Sequence, residues 1–270
     1  MVDVGVYDPK DVFADTPDIS IEHVFVAWEP LDRRLLRSKI AYANARQRQL
    51  MVTVEPWPKA EDWANGVAHL FANIVAGAFD QQTASVCQEI SAAEGHPIVR
   101  WGHEMEEPTG RYPWASADAA GYVMAYRHFL TQCRQSAPEA LFMWSPKGRP
   151  NLEDYYPGDA WVDVVGLSLY GLQNWDRQFS GRDRSFGEVF GEEYARVACF
   201  GKPVVIAELG VAGSSAYRRT WLTELLGENR PFPLLESIVY FNDKEPSEWP
   251  NGFGAPDWRI APTILAQIRP

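Results

Sequence analysis

Eight short apolar runs punctuate the chain, at residues 2–7, 23–28, 50–55, 97–102, 140–145, 162–170, 203–209 and 237–242. Most are near-continuous, such as VDVVGLSLY and PVVIAEL, rather than strictly alternating. That is the pattern of parallel strands covered on both faces. Segments with a helical period lie between them, at 31–48, 63–78, 83–93, 116–136, 186–199, 214–226 and 262–268. Asp32 stands near the start of the first, and Ser116 is the expected N-cap of the 116–136 helix. Strand followed by helix, sustained over about 250 residues, predicts an α/β fold, the (β/α)8 TIM barrel, as a single domain spanning 1–270. A doubly wound open sheet would want a Gly-rich phosphate loop after the first strand, and GVYDPKD supplies none.

The segments at 105–115, 146–160, 171–185 and 243–257 read as long loops rich in Pro, Gly and aromatics. Each follows a strand, so in a barrel all four gather at the C-terminal face, where active sites are built.

Two strand ends carry groups that are costly to bury. PIVRWGHEMEE turns from an apolar strand into Trp101, His103, Glu104, Glu106 and Glu107, and PVVIAELG ends its run with Glu208. A rim salt bridge is the ordinary reading of one strand-end glutamate. Two of them, on the fourth and seventh strands of an eight-strand pattern, suggest a catalytic pair. Glycoside hydrolysis needs one carboxyl protonated, to donate to the leaving oxygen, and one ionised, to attack the anomeric carbon. The apolar and acidic company of Glu104 is expected to push it toward the neutral form. Glu208 would need hydrogen bonds, from a partner such as Tyr170, to stay ionised. Glu106 and Glu107 are read as loop residues that raise the pKa of Glu104 or meet substrate. Arg100, inside the fourth strand, is expected in a buried ion pair.

Composition narrows the ligand. The chain has 25 basic and 36 acidic residues for a net charge of −11. That balance argues against nucleic acid and anionic membranes as partners. Eleven Trp and eleven Tyr, many in loop-like segments, suit a groove that stacks on sugar faces. No apolar run approaches the roughly 20 residues of a membrane span, so no membrane insertion is expected. The three cysteines (Cys87, Cys133, Cys199) lack metal-type spacing and imply no disulfide framework, and their odd number leaves a free thiol. The five histidines are scattered, so no metal and no cofactor is expected. A Ser-His-Asp hydrolase would want a G-x-S-x-G elbow, which is missing. No signal peptide is visible at the N-terminus. The expectation is an excised domain or mature form, secreted or periplasmic, and monomeric.

RWGHEMEEPTGRYPW, then WSPKGRPNLEDYYPGDAWVDVVGLSLYG, then KPVVIAELG resembles the family 26 glycoside hydrolases, a group of β-mannanases and β-glucanases. The likeness covers residues 97–210 well, with five separated motifs in order. It implies a retaining (β/α)8 glycosidase of the endo-β-glycanase type, with Glu104 as acid/base and Glu208 as nucleophile. It also implies that His103 bonds the sugar beside the scissile bond, that Tyr170 orients the nucleophile, and that Tyr112 or Trp114 offers a stacking surface.

Two departures bear on substrate. Many mannanases of the family carry an acid two residues before the strand-six Tyr, where this chain has Ser168. Strand three ends in VTVEPW, so that Glu55 and Trp57 look more like the glucan-active members. A β-linked glucan is therefore the favoured oligo- or polysaccharide. A β-1,4-mannanase of the same family and a non-catalytic carbohydrate-binding barrel are the alternatives. Trp57, Trp175, Asn242, Asp243, Trp28 and Asp8 are further candidate sugar contacts. Retention requires the two carboxyls to stand about 5–5.5 Å apart, against roughly 6.5–9.5 Å for inversion.

Overall fold

The computed structural model describes residues 2–58, 69–107, 110–227 and 231–264. Among these, eight strands close in sequence order, β1 to β8, into a barrel with helices between them. They are β1 (Asp3–Tyr7), β2 (Ile21–Ala27), β3 (Gln49–Glu55), β4 (Ile98–Trp101), β5 (Leu141–Trp144), β6 (Val164–Leu172), β7 (Val204–Ala212) and β8 (Leu235–Phe241). The chain is thus an eight-stranded (β/α)8 barrel. It divides into two compact units, Ile21–Gly166 and the combination of Met1–Ser20 with Leu167–Pro270.

In the Ile21–Gly166 unit, β2 and β3 run parallel in unbroken register from Ile21 opposite Gln49 to Ala27 opposite Glu55. β3 pairs with β4, β4 with β5, and β5 with the first residues of β6. All four residues of β4 are buried, Arg100 included. Helix α1 (Arg33–Ala45) starts where the Asp32 carboxylate accepts from Leu35 N (2.9 Å) and buries Leu36, Ile40 and Ala43 at helical spacing. Helices α2 (Leu70–Val75), α3 (Asp80–Ile90) and α4 (Ala119–Ser136) follow. The helix expected at 63–78 lies partly outside the described residues, as does that at 262–268.

Two expectations need correcting in this unit. The N-cap of α4 is Asp118, which accepts from Gly121 N (2.8 Å), while Ser116 Oγ, two residues earlier, accepts from Asp118 N (3.2 Å). A side chain in the cap position itself reaches the first-turn N–H groups of this 18-residue helix, which a hydroxyl two residues upstream does not. The cysteines also differ from expectation: Cys87 of α3 and Cys133 of α4 form a disulfide. Their separation of 46 residues gives no local spacing signal; only the packing of two helices brings them together. Cys199 is the free, exposed thiol.

In the other unit, β8 pairs in parallel with β1 on one side and β7 on the other. Helix α6 (Phe186–Val197) opens with a capping box, Ser185 and Glu188 bonding each other's backbone. Helix α7 (Ser215–Leu226) is capped by Ser214. An aromatic layer of Phe186, Phe190, Tyr194, Trp221 and Phe232 fills the space beneath them. The segment 171–185 is not all loop: α5 (Gln173–Ser180) stands in it, ended by Gly181 with φ 70°.

Candidate active site

β4 ends at Trp101, and the chain leaves it abruptly. Gly102 (φ 56°) and Glu104 (φ 55°) both adopt left-handed backbone. For a glutamate that conformation is strained, and such strain gathers at functional sites. It is held by Glu104 N donating to Ser145 O (2.8 Å), which carries the β4–β5 alignment past the strand end. Glu104 is 8% exposed, and Lys147 Nζ lies 3.5 Å from its Oε1.

The other residues of the HEMEE stretch take different parts. His103 is buried, its carbonyl accepts from Trp114 Nε1 (2.7 Å), and its ring stands edge-on to Tyr112 at 4.9 Å. Tyr112 stacks on Trp114 (4.7 Å, 14° between planes), with Trp57 against both. Trp114 has no exposed surface, so it is not a stacking ring for a sugar; it is the base on which half-buried Tyr112 rests. Trp57 is also half-buried, its Nε1 bonding Glu55 Oε2 (3.1 Å), and its carbonyl accepts from the buried Trp28 (3.1 Å). The structure therefore brings Glu55, Trp57, Tyr112 and His103 into one connected patch beside Glu104.

Glu106 is a turn residue whose charge interacts with that of Glu104, as expected, but it is a brace and not a substrate contact. It is 2% exposed, and its Oε1 accepts from Gly148 N (2.8 Å) and Arg149 N (3.2 Å). Burial raises its pKa above the ordinary carboxylate value, with the charge of Glu104 adding to the rise and the backbone donors opposing it. Glu106 thus braces the turn after β5, the turn that presents Lys147 to Glu104, and it is not open to substrate. Glu107 fastens the same turn by pairing with Arg149 (2.5 Å). Arg100, wholly buried, bonds the hydroxyls of Ser145 (2.9 Å) and Thr53 (3.4 Å).

In the other unit, Glu208 lies within β7, four residues before its end. Opposite β8, Ile206 aligns with Ile238 but Leu209 with Tyr240, so β7 carries one extra residue in the stretch containing Glu208. A bulge of this kind re-aims a side chain. Tyr170, on β6, donates its hydroxyl to Glu208 Oε2 at 2.6 Å. Its ring is packed by Trp258 (4.9 Å), Trp249 (5.7 Å) and Phe241 (6.3 Å). A Cβ on Gly210 would come within 2.7 Å of the rings of both Tyr170 and Trp258, so only glycine permits that approach. Ser168, also on β6, is buried.

Asn242 and Asp8, read from the sequence as sugar contacts, bond each other and the backbone. Asn242 is 2% exposed, with its Oδ1 on Ile260 N (2.8 Å) and its Nδ2 on Asp8 Oδ1 (3.2 Å). Asp8 also accepts from Phe13 N (2.7 Å), so the two side chains lock the ends of β1 and β8. Trp175 sits on α5, half-buried among Phe179, Trp249 and Phe253. Among the described residues, no three His, Cys, Asp or Glu are grouped to hold a metal ion, and no helix is long and apolar enough to cross a membrane.

The model for "Glycosyl hydrolase family 26" matches residues 57–196. The chain belongs to this family. The match takes in His103, Glu104, Tyr112 and Tyr170 and stops before Glu208. Among curated proteins, Endoglucanase H of Acetivibrio thermocellus is a relative, 27% identical over 252 residues, 86% of this chain. The chain spans only 26% of that relative's length. Among solved structures, GH26C of Muricauda sp. MAR_2010_75 superposes with a TM-score of 0.69 at 15% identity, covering 89% of this chain and 78% of the other. A modular endo-beta-1,4-mannanase from Cellulomonas fimi gives the same TM-score and identity, covering 99% and 70%. At such identities, likeness of structure speaks for the family's barrel and not for its substrate.

Proposed function

We propose that this family 26 chain is a retaining endo-β-glycanase acting on β-linked glucan, with Glu104 as acid/base and Glu208 as nucleophile. The observation that carries the reading is Glu208 placed at a β7 bulge and bonded by the Tyr170 hydroxyl. Glu104 follows the last residue of β4, the strand end at which barrel enzymes do chemistry, and Glu208 lies midway along β7.

In the first step the Glu208 carboxylate attacks the anomeric carbon. The glycosidic C–O bond breaks, and Glu104 gives its proton to the departing oxygen. A glycosyl ester on Glu208 results. In the second step Glu104, now a carboxylate beside the Lys147 ammonium, takes a proton from water. That water attacks the anomeric carbon, and Glu208 leaves as it began. Two inversions give net retention. Tyr170 orients the attacking oxygen, and His103, fixed by Trp114 and Tyr112, bonds the sugar beside the scissile bond.

Glucan is favoured over mannan by the Glu55–Trp57 pair after β3, by Ser168, and by the name of the Acetivibrio relative. A secreted or periplasmic location is part of the proposal, since the Cys87–Cys133 bridge suits an oxidising compartment.

Rates on mixed-linkage glucan, carboxymethyl cellulose and mannan test the reading. Glu104→Ala is expected to lose roughly 100- to 10,000-fold in kcat, the share carried by one general acid/base. Glu208→Gln is expected to lose more. Faster cleavage of mannan than of either glucan would reassign the substrate. Binding without cleavage, indifferent to Glu208→Gln, would leave a carbohydrate-binding barrel.

A further inference from the structure

Helix α5 wears its apolar residues outward. Trp175 and Phe179 are four residues apart and share one helix face. Phe179 is 54% exposed, whereas the other large apolar side chains exposed among the described residues are Val12, Leu35, Val75 and Met124. The polar face is the one that is fastened down. Asp176, 1% exposed, accepts from Arg184 N (3.1 Å), Arg184 Nε (2.8 Å) and the Tyr217 hydroxyl (2.7 Å). Gln173 bonds Asp183 (2.8 Å) and Ser214 N (2.8 Å), and Arg177 pairs with Asp183 (2.7 Å).

The loop after β8 meets this face as a short antiparallel ribbon. Lys244 bridges to Asp257 and Trp249 to Gly254, and the tip presents Phe253. From the Trp175 ring it is 4.5 Å to Phe179, 5.2 Å to Phe253 and 6.2 Å to Trp249. Trp249 in turn stands 5.7 Å from Tyr170, the residue that bonds Glu208. A continuous run of rings therefore leads from the Glu208 partner to the exposed Phe179.

We propose that Trp249, Trp175, Phe253 and Phe179 form a platform on which further sugar units of a β-linked glycan stack, beyond the unit held at Glu208. The proposal rests on the preceding functional reading and names an extension of that site. Packing of α5 on the ribbon accounts for the ring contacts but not for turning Phe179 outward on a helix whose acid is buried. Sugar C–H faces are apolar and suit flat rings, and rings already held in place lose little entropy when a chain settles on them. The charges on the neighbouring stretch are committed to one another, Arg177 with Asp183 and Arg182 with Glu188 (2.5 Å), so the face suits an uncharged ligand.

Calorimetric titration of the Glu208→Gln chain with cello- and manno-oligosaccharides of three and six sugars reads the platform apart from cleavage. Phe179→Ala combined with Phe253→Ala is expected to weaken six-sugar binding about tenfold more than three-sugar binding, with Phe179→Tyr keeping the six-sugar affinity within about twofold. Equal losses at both lengths, or none at either, overturn the platform. So does a dimer that Phe179→Ala abolishes while six-sugar affinity stays the same, which assigns the rings to a contact between copies. Failure of the unaltered chain to cleave any polymer counts against the Glu104–Glu208 mechanism, and the titration still decides the platform.

Discussion

Tyr170 and Glu208 are joined by a 2.6 Å hydrogen bond, and the tyrosine ring that makes it is lodged between Trp258 and the bare backbone at Gly210. The hydroxyl is aimed by packing, not by its own rotamer freedom. A hydrogen bond to a charged group is worth about 1.5–3 kcal/mol. Tyr170→Phe is therefore expected to cost roughly 10- to 100-fold in kcat with a much smaller change in KM. Steady-state kinetics on a soluble β-glucan check this; a change confined to KM would mean that the hydroxyl binds substrate instead.

Gly210→Ala tests the same wedge from the backbone side. The added methyl would stand 2.7 Å from ring carbons of Tyr170 and Trp258. Overpacking of this kind costs about 1–3 kcal/mol. In a chain of this size each kcal/mol is worth roughly 2–4 °C in Tm. The variant should melt a few degrees lower and lose activity comparable to Tyr170→Phe. A stable variant with full activity would show that the ring is not held there.

Glu106 gives a pH-dependent outcome. Its folded-state pKa is raised by burial, so the folded chain binds this proton more tightly than the unfolded chain does. Its contribution is most favourable below the unfolded value and declines as pH climbs to the raised folded one. Glu106→Gln keeps an oxygen for Gly148 N and Arg149 N but abolishes the buried charge. Thermal melts from pH 4 to 8 should show the variant gaining on the parent as pH rises through that window. A constant difference at every pH would contradict the assignment.

The Cys87–Cys133 bridge closes a 46-residue separation, for which chain entropy gives about 4 kcal/mol. Replacing both cysteines by Ala should lower Tm by on the order of 10 °C. Alkylation of the native chain should label Cys199 alone. Labelling of all three thiols would show that the bridge is absent.

The strands and the barrel were legible because each strand is a buried β-rich run, and Glu104 does follow the end of β4. Glu208, expected at the end of its run, instead lies in the middle of β7, because the strand continues past it to Ala212. What was illegible depends on packing between distant segments. Trp114 and Asn242 look like loop-borne sugar contacts until burial shows one supporting Tyr112 and the other locking β1 to β8. Glu106 reads as one acid among three, and only its bonds to the turn after β5 set it apart. Helix α5 escaped notice because its apolar residues face outward, so the segment has no inward stripe to find. The disulfide joins two helices that sequence spacing does not relate.

Reaction of the chain with a fluorinated, activated cello-oligosaccharide, followed by mass mapping of the labelled peptide, tests the proposed mechanism most directly. Such a reagent forms the glycosyl ester quickly and releases it slowly. The account predicts a covalent sugar on Glu208, with anomeric NMR of a normal substrate showing a retained first product. A label on another residue, or an inverted first product with no label, would contradict it.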